Sequence, residues 1–110
     1  MAQWRLVSSD HRCGVSLEAG DDGPLTGALT LDGQTYNVAG GWDASFSVPG
    51  RNFSAFAVFG KTGNPIPDFV AASGIMTGGG TAPTDIGIML DVSSCSDGTI
   101  QHYEGILIPA

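Results

Sequence analysis

Seventeen glycines and six prolines interrupt this chain so often that no stretch sustains the 3.6-residue apolar repeat of a helix. What survives between the breaks is alternation with a period of two, the mark of strands with one buried face. Eight such segments can be counted: Gln3 to Ser9, Cys13 to Ala19, Pro24 to Leu31, Gln34 to Asp43, Asn52 to Gly60, Asp68 to Met76, Asp85 to Ser94 and Thr99 to Ile108. The third and fourth meet at Asp32-Gly33, a two-residue hairpin signal because both positions must tolerate positive φ. "SVPGR" is expected to open a longer loop after the fourth strand, and "KTGNPIP" breaks the chain after the fifth. Connections of two to about ten residues are too short for the crossover a parallel pair requires, so successive strands run antiparallel as a meander. Closing eight such strands on themselves removes the exposed edges that invite aggregation. The expectation for residues 1–110 is therefore one all-β domain, an eight-stranded antiparallel up-and-down barrel, with a two-sheet sandwich as the alternative.

The charge pattern extends this to the outer wall. Charged residues make up 14% of the chain, against about 25% in an ordinary soluble domain, and the mean hydropathy is positive. On the third strand Leu25, Leu29 and Leu31 share one face, while Thr26, Ala28 and Thr30 leave the other without charge. A neighbouring subunit is expected to cover that neutral face, making the protein a homo-oligomer; a monomer with a mild Thr/Ser/Ala surface is the plainer option. A net charge of −7, with only four Lys or Arg, argues against nucleic acid and anionic membrane surfaces. No apolar run approaches the roughly 20 residues that span a bilayer as a helix. The start "MAQWRLVSSDHRC" has no hydrophobic signal core, which leaves the cytoplasm, or secretion after removal of a signal, both open.

Cys13 and Cys95 permit one disulfide if their loops lie at the same end of the fold; two free buried thiols fit equally well. Asp10, His11 and Cys13 match no metal-ligand spacing, and neither a metal nor a cofactor is expected.

Order and punctuation together resemble the avidin/streptavidin family. "GDDGPLTGALTL" looks like its glycine turn, Leu-Thr-Gly and outgoing third strand. "YNVAGGWD" is similar to its fourth strand, and "AASGIMTGG" to the Ser-Gly segment of its sixth. The resemblance covers residues 13 to 105 and implies a streptavidin-like barrel. Biotin recognition in that family uses an Asn and a Ser on the first turn, a Tyr on the third strand, several tryptophans and a closing Asp. Here Ser9 and Cys13 stand at the first two positions, Leu29 replaces the Tyr, and Glu104 falls near the closing acid. Trp4 and Trp42 are the only tryptophans, so the indole walls and polar partners of a ureido ring are lacking and tight biotin binding is not expected.

Other residues bear on chemistry. His102 and Glu104 share a strand face with Ile106 and Ile108, opposite Tyr103. They form either an acid–base pair or a structural pair, with Glu104 meeting Arg5 as the last strand closes onto the first. Asp91, opposite the stripe of Ile86, Ile88, Leu90 and Val92, meets a ligand or faces water. No G-x-S-x-G elbow occurs, "GKTGN" lacks P-loop spacing, and Asn52 heads a formal glycosylation triplet. Trp4, Trp42, Phe53, Phe56 and Phe59 either line a cavity mouth or fill a core, and the small Ala55, Ala57, Ala71, Ala72 and Gly74 leave room for a cavity. The leading expectation is a non-enzymatic barrel holding a small apolar or amphipathic molecule near Trp4, Ser9, Leu29, Trp42, Phe56, His102 and Glu104. The alternatives are an interaction or inhibitor barrel acting through the loops "SVPGRNFS" and "TGNPIPD", and a small barrel enzyme using His102 and Glu104.

Overall fold

The computed structural model describes residues 2–21, 23–48, 51–77 and 84–110, the side chains of 44–48 and 51–53 excepted. Phe53 and Asn52 as side chains, Pro49, Gly50 and the glycines at 78–80 therefore lie outside the described residues. The strands are β1 (Ala2–Ser8), β2 (Cys13–Ala19), β3 (Pro24–Leu31), β4 (Gln34–Val48), β5 (Arg51–Lys61), β6 (Asp68–Thr77), β7 (Asp85–Ser94) and β8 (Ile100–Pro109). Each pairs antiparallel with the next, and β8 returns to β1, giving a closed eight-stranded up-and-down barrel of the streptavidin-like kind. At the β3–β4 turn, Asp32 and Gly33 adopt φ of 50° and 85°, the backbone that a tight hairpin demands.

The expected long loop at "SVPGR" is not formed. β4 and β5 continue pairing to Ser47↔Asn52 and Val48↔Arg51, past a register shift between Asp43 and Phe46. That irregularity is a β-bulge, which bends a long hairpin without ending it. It is also why alternation read from Gln34 loses its phase at Asp43.

Closure of β8 onto β1 runs through Leu6↔Pro109, Val7↔Ile108 and Ser8↔Leu107. The backbone N–H of Ala110 then donates to the Arg5 carbonyl at 3.0 Å. Arg5 thus faces the end of the chain rather than Glu104, and its guanidinium bonds Gln3 instead. The expected Glu104–Arg5 pair does not exist, because barrel closure staggers the two strands by about half a strand length.

Inside, the alternation holds. Trp4, Leu17, Leu25, Leu29, Met76, Ile86, Ile88, Leu90, Val58 and Leu107 are fully buried. Trp4 stands edge-on to Phe56, ring centroids 5.9 Å apart and planes at 83°. Of the small residues expected to leave room inside the barrel, Ala72 does face inward and is buried. Ala55, Ala57 and Ala71 point outward, by the same parity that buries Phe56 and Val58. The room at Gly74 is taken by the Phe56 ring, since a Cβ there would lie 2.7 Å from Phe56 Cε1. Gly60 and Gly40 serve the β4–β5 pairing, where a Cβ would overlap the carbonyls of Asn37 and Ala57. Ser54 Oγ is buried without a hydrogen-bond partner among the described residues.

Candidate functional site

Three places gather chemistry: the rim at the β1–β2 turn, a carboxylate–imidazole cluster on the outer wall, and an apolar groove beside Lys61. The rim is built by short-range bonds. Buried Ser8 donates its hydroxyl to the Asp10 carboxylate and accepts from the Cys13 backbone N–H at 3.1 Å. Asp10 also accepts from the Arg12 backbone N–H at 3.0 Å and from the Tyr103 hydroxyl at 3.2 Å. The Arg12 guanidinium lies 5.1 Å above the Tyr103 ring and makes a two-pronged bond to Asp32, 2.8 and 3.0 Å. Bonds from Ser8 and the Arg12 backbone hold the Asp10 carboxyl below the usual carboxylate range, and Arg12 does the same for Asp32. Beneath this cover Cys13 is buried, and desolvation pushes its thiol up to about 11. Cys95 is exposed, and the two thiols are free rather than bridged. The rim's polar groups bond one another across the end of the barrel.

The second place is on the wall. β7 and β8 set Asp91 opposite His102, and Glu104 follows His102 on the same outward face. His102 Nδ1 lies 2.7 Å from Asp91 and Nε2 lies 2.9 Å from Glu104. Hydrogen bonds to Glu104 and then Asp91 raise the His102 pKa above its ordinary 6.5. When protonated, the ring donates to both carboxylates; when neutral, it donates to one and sets a lone pair against the other. All three side chains are half exposed or more.

The third place is a cleft of about 500 Å³ on the outer wall near the β5–β6 loop. Cross-strand pairing lines up Asn37, Lys61 and Phe69 in one row, with Phe59 in the next. Phe59 and Phe69 form its apolar sides, Gly60 lets the backbone lie open at its floor, and Thr62 sits at its end. Lys61 has no acidic partner among the described residues.

The residues expected to share one site are dispersed. Trp4, Leu29 and Phe56 are core. Ser9 lies in the exposed β1–β2 turn. Trp42 is half-buried and donates its indole N–H to the Gly20 carbonyl at 3.1 Å, fastening the β2–β3 turn. His102 and Glu104 meet each other, but outside the barrel. Strand parity separates these groups: Glu104 is two residues from His102 and so shares its outward face, while the inward place falls to Tyr103. Asn37, Lys61 and Phe69 were not singled out in the sequence, for they become neighbours only through the β4–β5–β6 register. Asp10, Arg12 and Asp32 meet through the turns that flank β2 and β3. Of the candidate loops, "TGNPIPD" is folded on itself by Thr62 N–H to the Asp68 carbonyl and Asp68 N–H to Thr62 Oγ1, 3.0 and 3.1 Å.

Among the described residues, the large exposed apolar side chains lie on β5 to β8 and the β5–β6 loop: Phe59, Ile66, Phe69, Ile75, Met89, Ile100, Ile106 and Ile108. The outer face of β3 carries exposed Thr26 and Thr30 and half-buried Ala28, a neutral surface as the sequence indicates. Comparison with known proteins finds no family model, no curated protein and no solved structure that matches this chain.

Proposed function

We propose that this chain is a non-enzymatic, avidin-like barrel that binds a small amphipathic anion on its outer wall and works as a homo-oligomer. The observation that carries the ligand is the groove of Phe59 and Phe69 with Lys61 and Asn37 on its rim. Ligand sites are concave and mostly apolar, with a few placed polar groups, and this groove has that make-up. Two rings would hold a short chain or a flat ring, while the Lys61 ammonium and Asn37 amide would meet an acidic head. The cation matters because the whole chain holds four Lys or Arg against eleven Asp or Glu. The described inward side chains, by contrast, are buried and almost wholly apolar, with no charged group among them. The non-enzymatic reading draws support from the occupied imidazole of His102.

Laurate is a suitable probe, followed by backbone amide shifts. Saturable shifts confined to Asn37, Phe59 to Gly63 and Phe69 are expected. Lys61→Glu should weaken the binding about tenfold, the size of one exposed charge contact reversed in sign. Dispersed shifts, or equal binding of dodecylamine, would remove the anion site.

The oligomer reading has its own support in the exposed apolar side chains of β5 to β8. Isolated exposed apolar residues are ordinary, but a contiguous set on one wall marks an interaction surface.

A further inference from the structure

The pairing register places Ala55, Ile75, Gly87 and Ile106 in one outward row. The next rows are Ala57, Ser73, Met89 and Glu104, then Phe59, Ala71, Asp91 and His102. Large side chains thus stand among small ones on a single surface. Phe59, Ile75, Met89, Ile106 and Ile108 are between 45% and 70% exposed. At about 200 Å² for a large side chain they present roughly 580 Å². A standard interface buries about 800 Å² per partner, and the intervening Ala, Ser and Gly would supply most of the remainder. Beside Met89, outward-facing Gly87 leaves a hollow of about 390 Å³ that Ile106 and Glu104 border. Knobs and a hollow on the same face suit an isologous contact, in which each copy fills the other.

A cluster of charge sits in this face. We propose that the wall of β5 to β8 docks a second copy of this chain, and that Asp91, His102 and Glu104 permit the contact only while His102 is protonated. The inference rests on the homo-oligomer reading above. With the imidazolium in place the three groups sum to one negative charge; without it they sum to two. Two copies facing each other then repel four times as strongly, cluster against cluster. Deprotonation also turns one donated bond, at 2.7 or 2.9 Å, into a lone pair set against a carboxylate. Burial in an interface would magnify both effects, because exposed charges are screened and buried ones are not. The other charged groups near the cluster are few. Asp10 and Arg12 of the β1–β2 turn contact Tyr103 at the rim, Lys61 stands at the far edge of the wall, and Asp85 pairs across from Thr77 at its other end.

Sedimentation equilibrium of the intact chain at about pH 6 and about pH 9 tests this, on either side of a histidine titration. Self-association about tenfold tighter at the lower pH is expected. His102→Gln should erase the difference, whereas Asp91→Asn with Glu104→Gln should restore association at the higher pH. Ile106→Glu should abolish association at both. All four substituted residues are exposed, and circular dichroism checks that each variant keeps its fold. Association equal at both pH values, or a pH dependence that survives His102→Gln, would overturn the gate and leave the oligomer reading standing. Association untouched by Ile106→Glu would overturn the surface, and a monomer under every condition would overturn both.

Discussion

Replacing Phe56 by alanine asks whether the barrel is full. The ring is 4% exposed, meets Trp4 edge-on at 5.9 Å, and lies in the slot left by Gly74. Core Phe→Ala changes cost about 3–5 kcal/mol, and the spread reflects how well the site collapses. Collapse is hindered here, since Gly74 has no side chain to move in and its backbone is pinned by pairing to Ile88. The lost aromatic pair adds about 0.5–1.5 kcal/mol beyond the area term. The upper part of the range, about 4–5 kcal/mol, is therefore expected. Against a total stability of about 5–15 kcal/mol this is a large fraction. With a urea slope near 2 kcal/mol/M, the midpoint should fall by about 2 M. The converse change, Leu29→Tyr, puts a larger ring and a hydroxyl at a site with no exposure. Overpacking should cost about 1–3 kcal/mol, with more for an unmet hydroxyl. Urea unfolding followed by circular dichroism reads both. A loss under about 1.5 kcal/mol for Phe56→Ala, with Leu29→Tyr neutral, would show free space inside. The ligand would then belong in the lumen, not on the wall.

Acid should weaken the rim. Asp10 and Asp32 have folded pKa values below the ordinary 3.8, so their contribution is present above that value and is lost as pH falls through the lowered ones. Asp32→Asn should reduce stability near neutrality and flatten the acid limb of a stability–pH curve; an unchanged limb would show that the Arg12–Asp32 pair contributes nothing. His102 has the opposite sign: its raised pKa gives stability that is full below 6.5 and lost as pH rises through the folded value. His102→Gln should therefore remove a loss of stability on the alkaline side, measured on dilute protein. Thiol labelling should be biphasic, with exposed Cys95 reacting at once and Cys13 only at the rate of unfolding. Equal rates would show that the rim opens freely.

The strand count, the antiparallel order and the inward face of nearly every strand were legible in the sequence because turn residues and two-residue alternation are local. Leu25, Leu29 and Leu31, or Ile86, Ile88, Leu90 and Val92, announce their side of the sheet without any partner. The continuation of β4 beyond Asp43 was not legible, since a bulge shifts register without leaving a residue type of its own. Whether Gly74 leaves a cavity depends on the ring across the ladder from it. Whether Glu104 meets Arg5 or His102 depends on the stagger of the closing strands. The groove of Phe59, Lys61 and Phe69 and the row of Asp91 and His102 exist only because three or four strands align at particular positions. A single strand carries its own pleat, so sequence alone determined which way each side chain points. Neighbours across strands come from register and closure, which are set by packing over the entire barrel, and these the tertiary structure alone decided.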